Sequence, residues 1–159
     1  MNGIAQGYAA DRAAAALNRH GIRHALINTG EVNALGRKSN DTAWTVGIQH
    51  PRREDAYISL ARLAGRCLAT SGDYATTFSS DFQHHHLFDP RSGRSPTHVS
   101  SVSIAAPSAL QADALSTAVF VLGPERGLEL VQAFRGADAL LVKKDGSALA
   151  TNGFPQGTA

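Results

Sequence analysis

Residues 99–123, VSSVSIAAPSALQADALSTAVFVLG, decide the fold. VSSVSIAAP alternates apolar and small polar residues and reads as a strand. Ser108 then opens a helix as its N-cap, with Gln111 three residues on to complete a capping box, and Gly123-Pro124 breaks it. The helix is nearly apolar apart from Asp113 and its neighbours Ser116 and Thr117. An ionised carboxylate removed from water is costly unless a cation or hydrogen bonds compensate it, so Asp113 asks for a partner, and a bound metal ion is the simplest one.

Downstream, PERGLELVQAF is a second helix, and ADALLVKK and SALATNG form a hairpin around Asp145-Gly146, a strong turn signal. The tail FPQGTA reads as loose. Upstream, Asn2 to Gly7 reads as a glycine-bearing turn entering the helix YAADRAAAALNRHG, which Gly21 stops. IRHALINTG and EVNALG are short strands about Thr29-Gly30, GRKSND is a polar loop, and AWTVGIQHP is a strand ended by Pro51. AYISLARLAGRCLAT suggests two strands divided near Gly65, and YATTF follows the turn Ser71-Gly72-Asp73 as a β-rich stretch. Residues 83–96, QHHHLFDPRSGRSP, read as a histidine-loaded strand running into a turn at Asp89-Pro90. Strands arriving as antiparallel neighbours among three helices give an α+β class, mainly antiparallel sheet with helices on one face, over a single domain 1–159.

Composition narrows the function. With 43% hydrophobic and 18% charged residues, the chain of 159 residues suits one ordered domain. The net charge of +2, with arginines scattered among acidic residues, gives no basic patch and no support for nucleic acid as a partner. Cys67 alone excludes an intrachain disulfide framework and a cysteine zinc site; within RCLAT it reads as a buried inert thiol. No run reaches the ~20 apolar residues of a membrane helix. The first residues lack a signal peptide's basic and apolar regions, so the chain as written is expected in the cytoplasm.

Three groups of residues carry candidate chemistry. Asp113, Ser116 and Thr117 share one helix face. Two readings fit: Asp113 favours the helix N-terminal region while Thr117 bonds back to a carbonyl, or the pair offers oxygen ligands to a hard cation such as Mg²⁺, leaving positions for substrate phosphate and water. His84 and His86 face one way on a strand and His85 the other, so the three form no single metal cluster; one of them has the pKa range for an acid, base or phosphate ligand. Gly3 and Gly7 before a helix would expose backbone N–H groups to an anion. There is no GxSxG elbow, no Walker loop and no dinucleotide fingerprint, so phosphate chemistry must use another frame.

At these residues the chain resembles the ApbE family, the FAD:protein FMN transferases. The matching segments, in order, are NGIAQGYAADRAA, ALINTGEVNALG, WTVGIQHPR, LATSGDY with HHLFDPRSG, and ADALSTAVFVLG, covering residue 1 to about Gly153. The resemblance implies the C-terminal half of a T-fold-like architecture, with FAD as substrate and Mg²⁺ as cofactor. FMN would pass through a phosphoester to a threonine or serine hydroxyl of an acceptor flavoprotein, and AMP would leave. By position, Asp113 and Thr117 match the metal-binding aspartate and hydroxyl, and Gly3 a backbone carbonyl donor to the same ion. His86 matches the histidine of transfer, while Leu87, Ser116 and Gln6 lie where the flavin nucleotide is contacted. Gln6 replaces the usual lysine or glutamate, and the GGD-like segment reads Gly30-Glu31-Val32. Family members are roughly twice this length, which implies that an N-terminal half is absent, with the export signal or lipid anchor that places the full-length family in the periplasm or at a membrane. Association with that half, or a homodimer, is then expected. Two alternatives accompany the transferase reading: an Mg²⁺-dependent FAD pyrophosphatase, with water in place of the acceptor, and an inactive fragment that binds flavin or metal.

Overall fold

Val99–Ala106 is a strand buried at all eight positions in the computed structural model of the chain, which describes residues 2–157. Its alternation therefore separates two cores rather than core from solvent. Val102, Ile104 and Ala106 face a layer of helices, while Ala105 faces a second sheet. In chain order the elements are α1 (Asn2–Arg19), β1 (Ala25–Asn28), β2 (Val32–Leu35), β3 (Trp44–His50), β4 (Arg53–Leu63), β5 (Cys67–Gly72), β6 (Val99–Ala106), α2 (Ala109–Leu122), α3 (Pro124–Gln132), β7 (Asp138–Lys143), β8 (Ala148–Ala150) and β9 (Gln156–Gly157).

The expected antiparallel α+β architecture is present, and the strands divide between two sheets. One has the order β1-β2-β5-β6-β7-β8, the other β3-β4-β9. Leu115, Val119 and Phe120 of α2 and Val131 of α3 pack on one face of the larger sheet. Ile48, Ala61 and Leu63 of the smaller sheet close over its other face against Val32, Leu68 and Leu140. No helix among the described residues is long and apolar enough to cross a membrane.

Three expectations need correction. First, Asn2 to Gly7 is helical rather than a turn, with a kink at Gly3 (φ −78°, ψ 20°). Glycine is a poor helix former, yet close packing requires it here: a Cβ on Gly7 would collide with the Ala109 carbonyl and lie 2.7 Å from the Asp113 Cβ. Asp11, one turn further on, fixes the crossing by accepting hydrogen bonds from the Ala109 and Leu110 N–H groups at the start of α2, at 2.9 and 3.0 Å. Second, the tail is not loose through Gly157: Phe154 is buried, and β9 pairs with β4. The last two residues lie outside the described ones.

Third, YATTF and the histidine segment belong to a long connection between β5 and β6, whose β pairing among the described residues is limited to the isolated bridges Thr77–His85 and Asp89–Arg94. The two-residue alternation survives without a ladder, with His84 and His86 exposed and His85 and Leu87 buried. Asp89 bends the chain back, its carboxylate accepting from the Arg91 N–H at 2.9 Å and its carbonyl from the Gly93 N–H at 2.8 Å. The connection is anchored at both its start and its middle by Asp73, which is fully buried and meets Arg52 through two bonds of 2.7 Å and Lys144 at 2.6 Å. Arg52 also stacks on Phe82, and Lys144 donates to the Phe82 carbonyl at 2.6 Å.

Candidate active site

α2 carries Asp113 and Thr117 one turn apart, and both open on a cleft of about 720 Å³ that Gly3 and Gln6 of α1, Glu31 before β2, Ser71 of β5 and His86 also line. The kink in α1 brings Gly3 against Thr117: a Cβ at Gly3 would lie 2.8 Å from Thr117 Oγ1. The Gly7 N–H, which in a regular helix would donate to the Gly3 carbonyl, donates to Asp113 Oδ2 at 2.9 Å. Thr117 Oγ1 lies 3.2 Å from Ser71 Oγ, so its hydroxyl is engaged across the cleft floor. A carboxylate, a hydroxyl and a nearby helix carbonyl are oxygen donors of the kind a hard cation takes.

Asp113 is 4% exposed and has no ionic partner among the described residues. Burial holds its carboxyl above the usual aspartate range, and the Gly7 N–H offsets part of that. Glu31, 7% exposed, is pushed up to about 8 by burial first and by the negative charge of Asp113 second, against one stabilising bond from the Thr70 backbone. Neither helical spacing nor the family resemblance gives Glu31 a role. Its signal was present as a charged residue at the edge of the apolar run VNAL.

This pair fixes the sign of a pH dependence. Glu31 ionises near 4.5 in the unfolded chain and near 8 in the fold, so between those values the fold holds a proton that the unfolded chain has lost. Its contribution to stability is therefore full below about pH 4.5 and declines as pH rises toward 8. Urea unfolding of the metal-free protein at several pH values across this window is expected to show that decline, and Glu31→Gln is expected to flatten it.

The remaining predicted residues fall in different places. Leu87 lines the cleft and reaches into the helix-side core, and Gln6 lines it with its amide packed over Gly30. Ser116 is the exception. It is fully buried, donates to the Asp113 carbonyl at 3.0 Å and lies 2.8 Å from Ser71 Oγ, so its side chain supports the cleft floor from beneath and is not presented to a ligand.

The histidines divide by role. His85 is fully buried, with Nε2 donating to the Pro96 carbonyl at 3.0 Å, Nδ1 accepting from the Leu87 N–H and the ring set edge-on to Phe120. Burial holds its pKa below the usual histidine range, and its work is structural. His86 is exposed at the cleft wall. Its Nδ1 lies 3.2 Å from the Thr76 carbonyl oxygen, which can only accept, so Nδ1 carries the proton and Nε2 of the neutral ring holds a free lone pair.

Residues 1–141 match the ApbE family. The chain belongs to this family. The FAD:protein FMN transferase of Escherichia coli (strain K12) is 34% identical over 98% of this chain and 45% of its own length. That of Treponema pallidum is 37% identical over 97% of this chain and 46% of its own. The crystal structure of the ApbE protein of Thermotoga maritima superposes with a TM-score of 0.85 at 35% identity, covering 94% of this chain and 50% of that one. The apo flavinyl transferase ApbE of Pseudomonas stutzeri gives 0.79, also at 35% identity, over 96% and 50%. The chain thus spans about half the length of the ApbE relatives it matches.

Proposed function

We propose that this chain supplies the metal and transfer residues of an FAD:protein FMN transferase, which moves FMN from FAD to a threonine or serine hydroxyl of an acceptor flavoprotein and releases AMP. The observation that carries the reading is that Asp113 and Thr117 of α2, Gly3 of α1 and His86 of the β5–β6 connection meet on one cleft. Asp113, Thr117 and the Gly3 carbonyl would hold Mg²⁺. The ion, when bound, supplies charge neutralisation to the diphosphate of FAD.

The other steps belong to the chain itself. His86 Nε2 takes the proton of the acceptor hydroxyl as its oxygen bonds to the phosphorus of the FMN moiety. The bond from that phosphorus to the bridging oxygen breaks, and AMP leaves with the oxygen. Leu87 and Gln6 border the cleft beside the transferring group and orient it, while Ser71, backed by Ser116, holds the Thr117 hydroxyl in place.

An apolar groove of about 650 Å³ runs on from the cleft, sharing Gly3 and Thr117 with it and bordered by Ile4, Phe88, Val121 and Leu122. We assign it to the other half of a family-length protein, since the relatives are about twice as long as this chain. Light scattering that finds a dimer of this chain would assign the groove to a second copy instead.

Incubating the chain with FAD, Mg²⁺ and an acceptor flavoprotein, alone and with the other half of a relative added, tests the activity. Covalent FMN on the acceptor, read by mass spectrometry, is the expected result. No adduct in either mixture rejects the transferase reading. FMN and AMP formed equally without acceptor would identify a pyrophosphatase.

A further inference from the structure

We propose that Glu31 is a second carboxylate of the cation site, sharing with Asp113 the charge of one divalent ion held over the cleft floor. The inference rests on the metal-site reading above and extends it to a residue outside the Gly3, Asp113 and Thr117 set.

The placement of Glu31 is built rather than incidental. The turn before β2 is closed by the Gly30 N–H donating to Asn28 Oδ1 and the Thr29 N–H donating to the Glu31 carbonyl, both at 3.2 Å. The Gln6 amide packs over the same turn from α1. β5 then grips the two sides of the cleft through consecutive residues. Thr70 and Ser71 line the cleft together with Glu31, and Ser71 Oγ lies 3.2 Å from Thr117 Oγ1. One strand therefore pairs with β2, which follows Glu31, and holds the Thr117 hydroxyl across the same cleft.

Charge supplies the second argument. Glu31 and Asp113 are both more than nine-tenths buried, and both line this cleft. Neither forms an ion pair among the described residues, whereas Arg52 and Lys144 are both committed to Asp73. Two carboxylates lining one cleft repel each other, and each is buried away from water. A divalent cation between them removes both penalties, and oxygen-only donors select a hard ion such as Mg²⁺ or Mn²⁺.

Mn²⁺ titration followed by electron paramagnetic resonance of the free ion, with no flavin present, reads this directly. Glu31→Gln keeps the side-chain shape and removes the charge, and it is expected to weaken Mn²⁺ binding by about tenfold or more. Asp113→Asn run alongside separates two failures. If Asp113→Asn loses Mn²⁺ and Glu31→Gln binds it within about twofold of the parent, the role of Glu31 is overturned and the Asp113 site stands. If neither change alters binding, the metal-site reading fails with it. Glu31→Ala is read in the same way should the glutamine variant not fold.

Discussion

Asp113→Asn is expected to lower flavin transfer by about 10²–10³-fold while leaving the thermal midpoint of the metal-free protein unchanged or raised. The asparagine oxygen can still accept the Gly7 N–H that now bonds Oδ2, so the α1–α2 contact survives. What is lost is the charge, which burial already penalises. Single-turnover transfer assays across a Mg²⁺ series, paired with calorimetry of the metal-free protein, check both halves. A loss of transfer accompanied by a large drop in the midpoint would assign Asp113 to structure instead.

The second large effect is expected at Asp73. Asp73→Ala leaves the Arg52 guanidinium and the Lys144 ammonium beside an apolar methyl, with their shared anion gone. Removing one partner of a buried ion pair costs about 3–5 kcal/mol. Both cations keep some contact with water, so the lower end applies, about 3 kcal/mol in urea unfolding. Function should fall as well. Phe82 is held by both cations, and the same connection carries His86 and Leu87 to the cleft four and five residues later. Limited proteolysis is expected to cut within residues 74–98 first in this variant.

The parts of the fold legible in the sequence are those set by local chemistry. The α2 cap is one example: Ser108 Oγ accepts the Gln111 N–H at 3.2 Å, as the S-x-x-Q spacing implies. The Asp145-Gly146 hairpin between β7 and β8 is another, with Gly146 at φ +85°. Features set by distant contacts were hidden. Nothing local in WTVGIQH separates the smaller sheet from the larger, because its apolar face is decided by what Val46 and Ile48 meet across the second core. The helical state of Asn2 to Gly7 runs against the propensity of its glycines and depends on how closely α2 approaches.

The candidate site divides in the same way. Helical spacing put Asp113 and Thr117 on one face, and both do open on the cleft. Ser116 shares that spacing, but the sheet beneath α2 claims its hydroxyl through Ser71. Glu31 shows in the sequence only as a charge at the edge of a strand, and its place in the site comes from Asp113, 82 positions away in the chain, whose charge it meets only in the folded state. The histidine run read as a strand because its alternation is real. Its prolines and side-chain bonds to backbone, such as the paired contacts of Ser95 Oγ with the His85 N–H and carbonyl, take the place of a ladder.

Crystals of the chain soaked in Mn²⁺ and measured at the manganese absorption edge test the central claim most directly. The account predicts an anomalous peak within coordination distance of an Asp113 carboxylate oxygen and Thr117 Oγ1, about 2.0–2.6 Å. A peak held by other residues, with Asp113 and Thr117 free of metal, would contradict it.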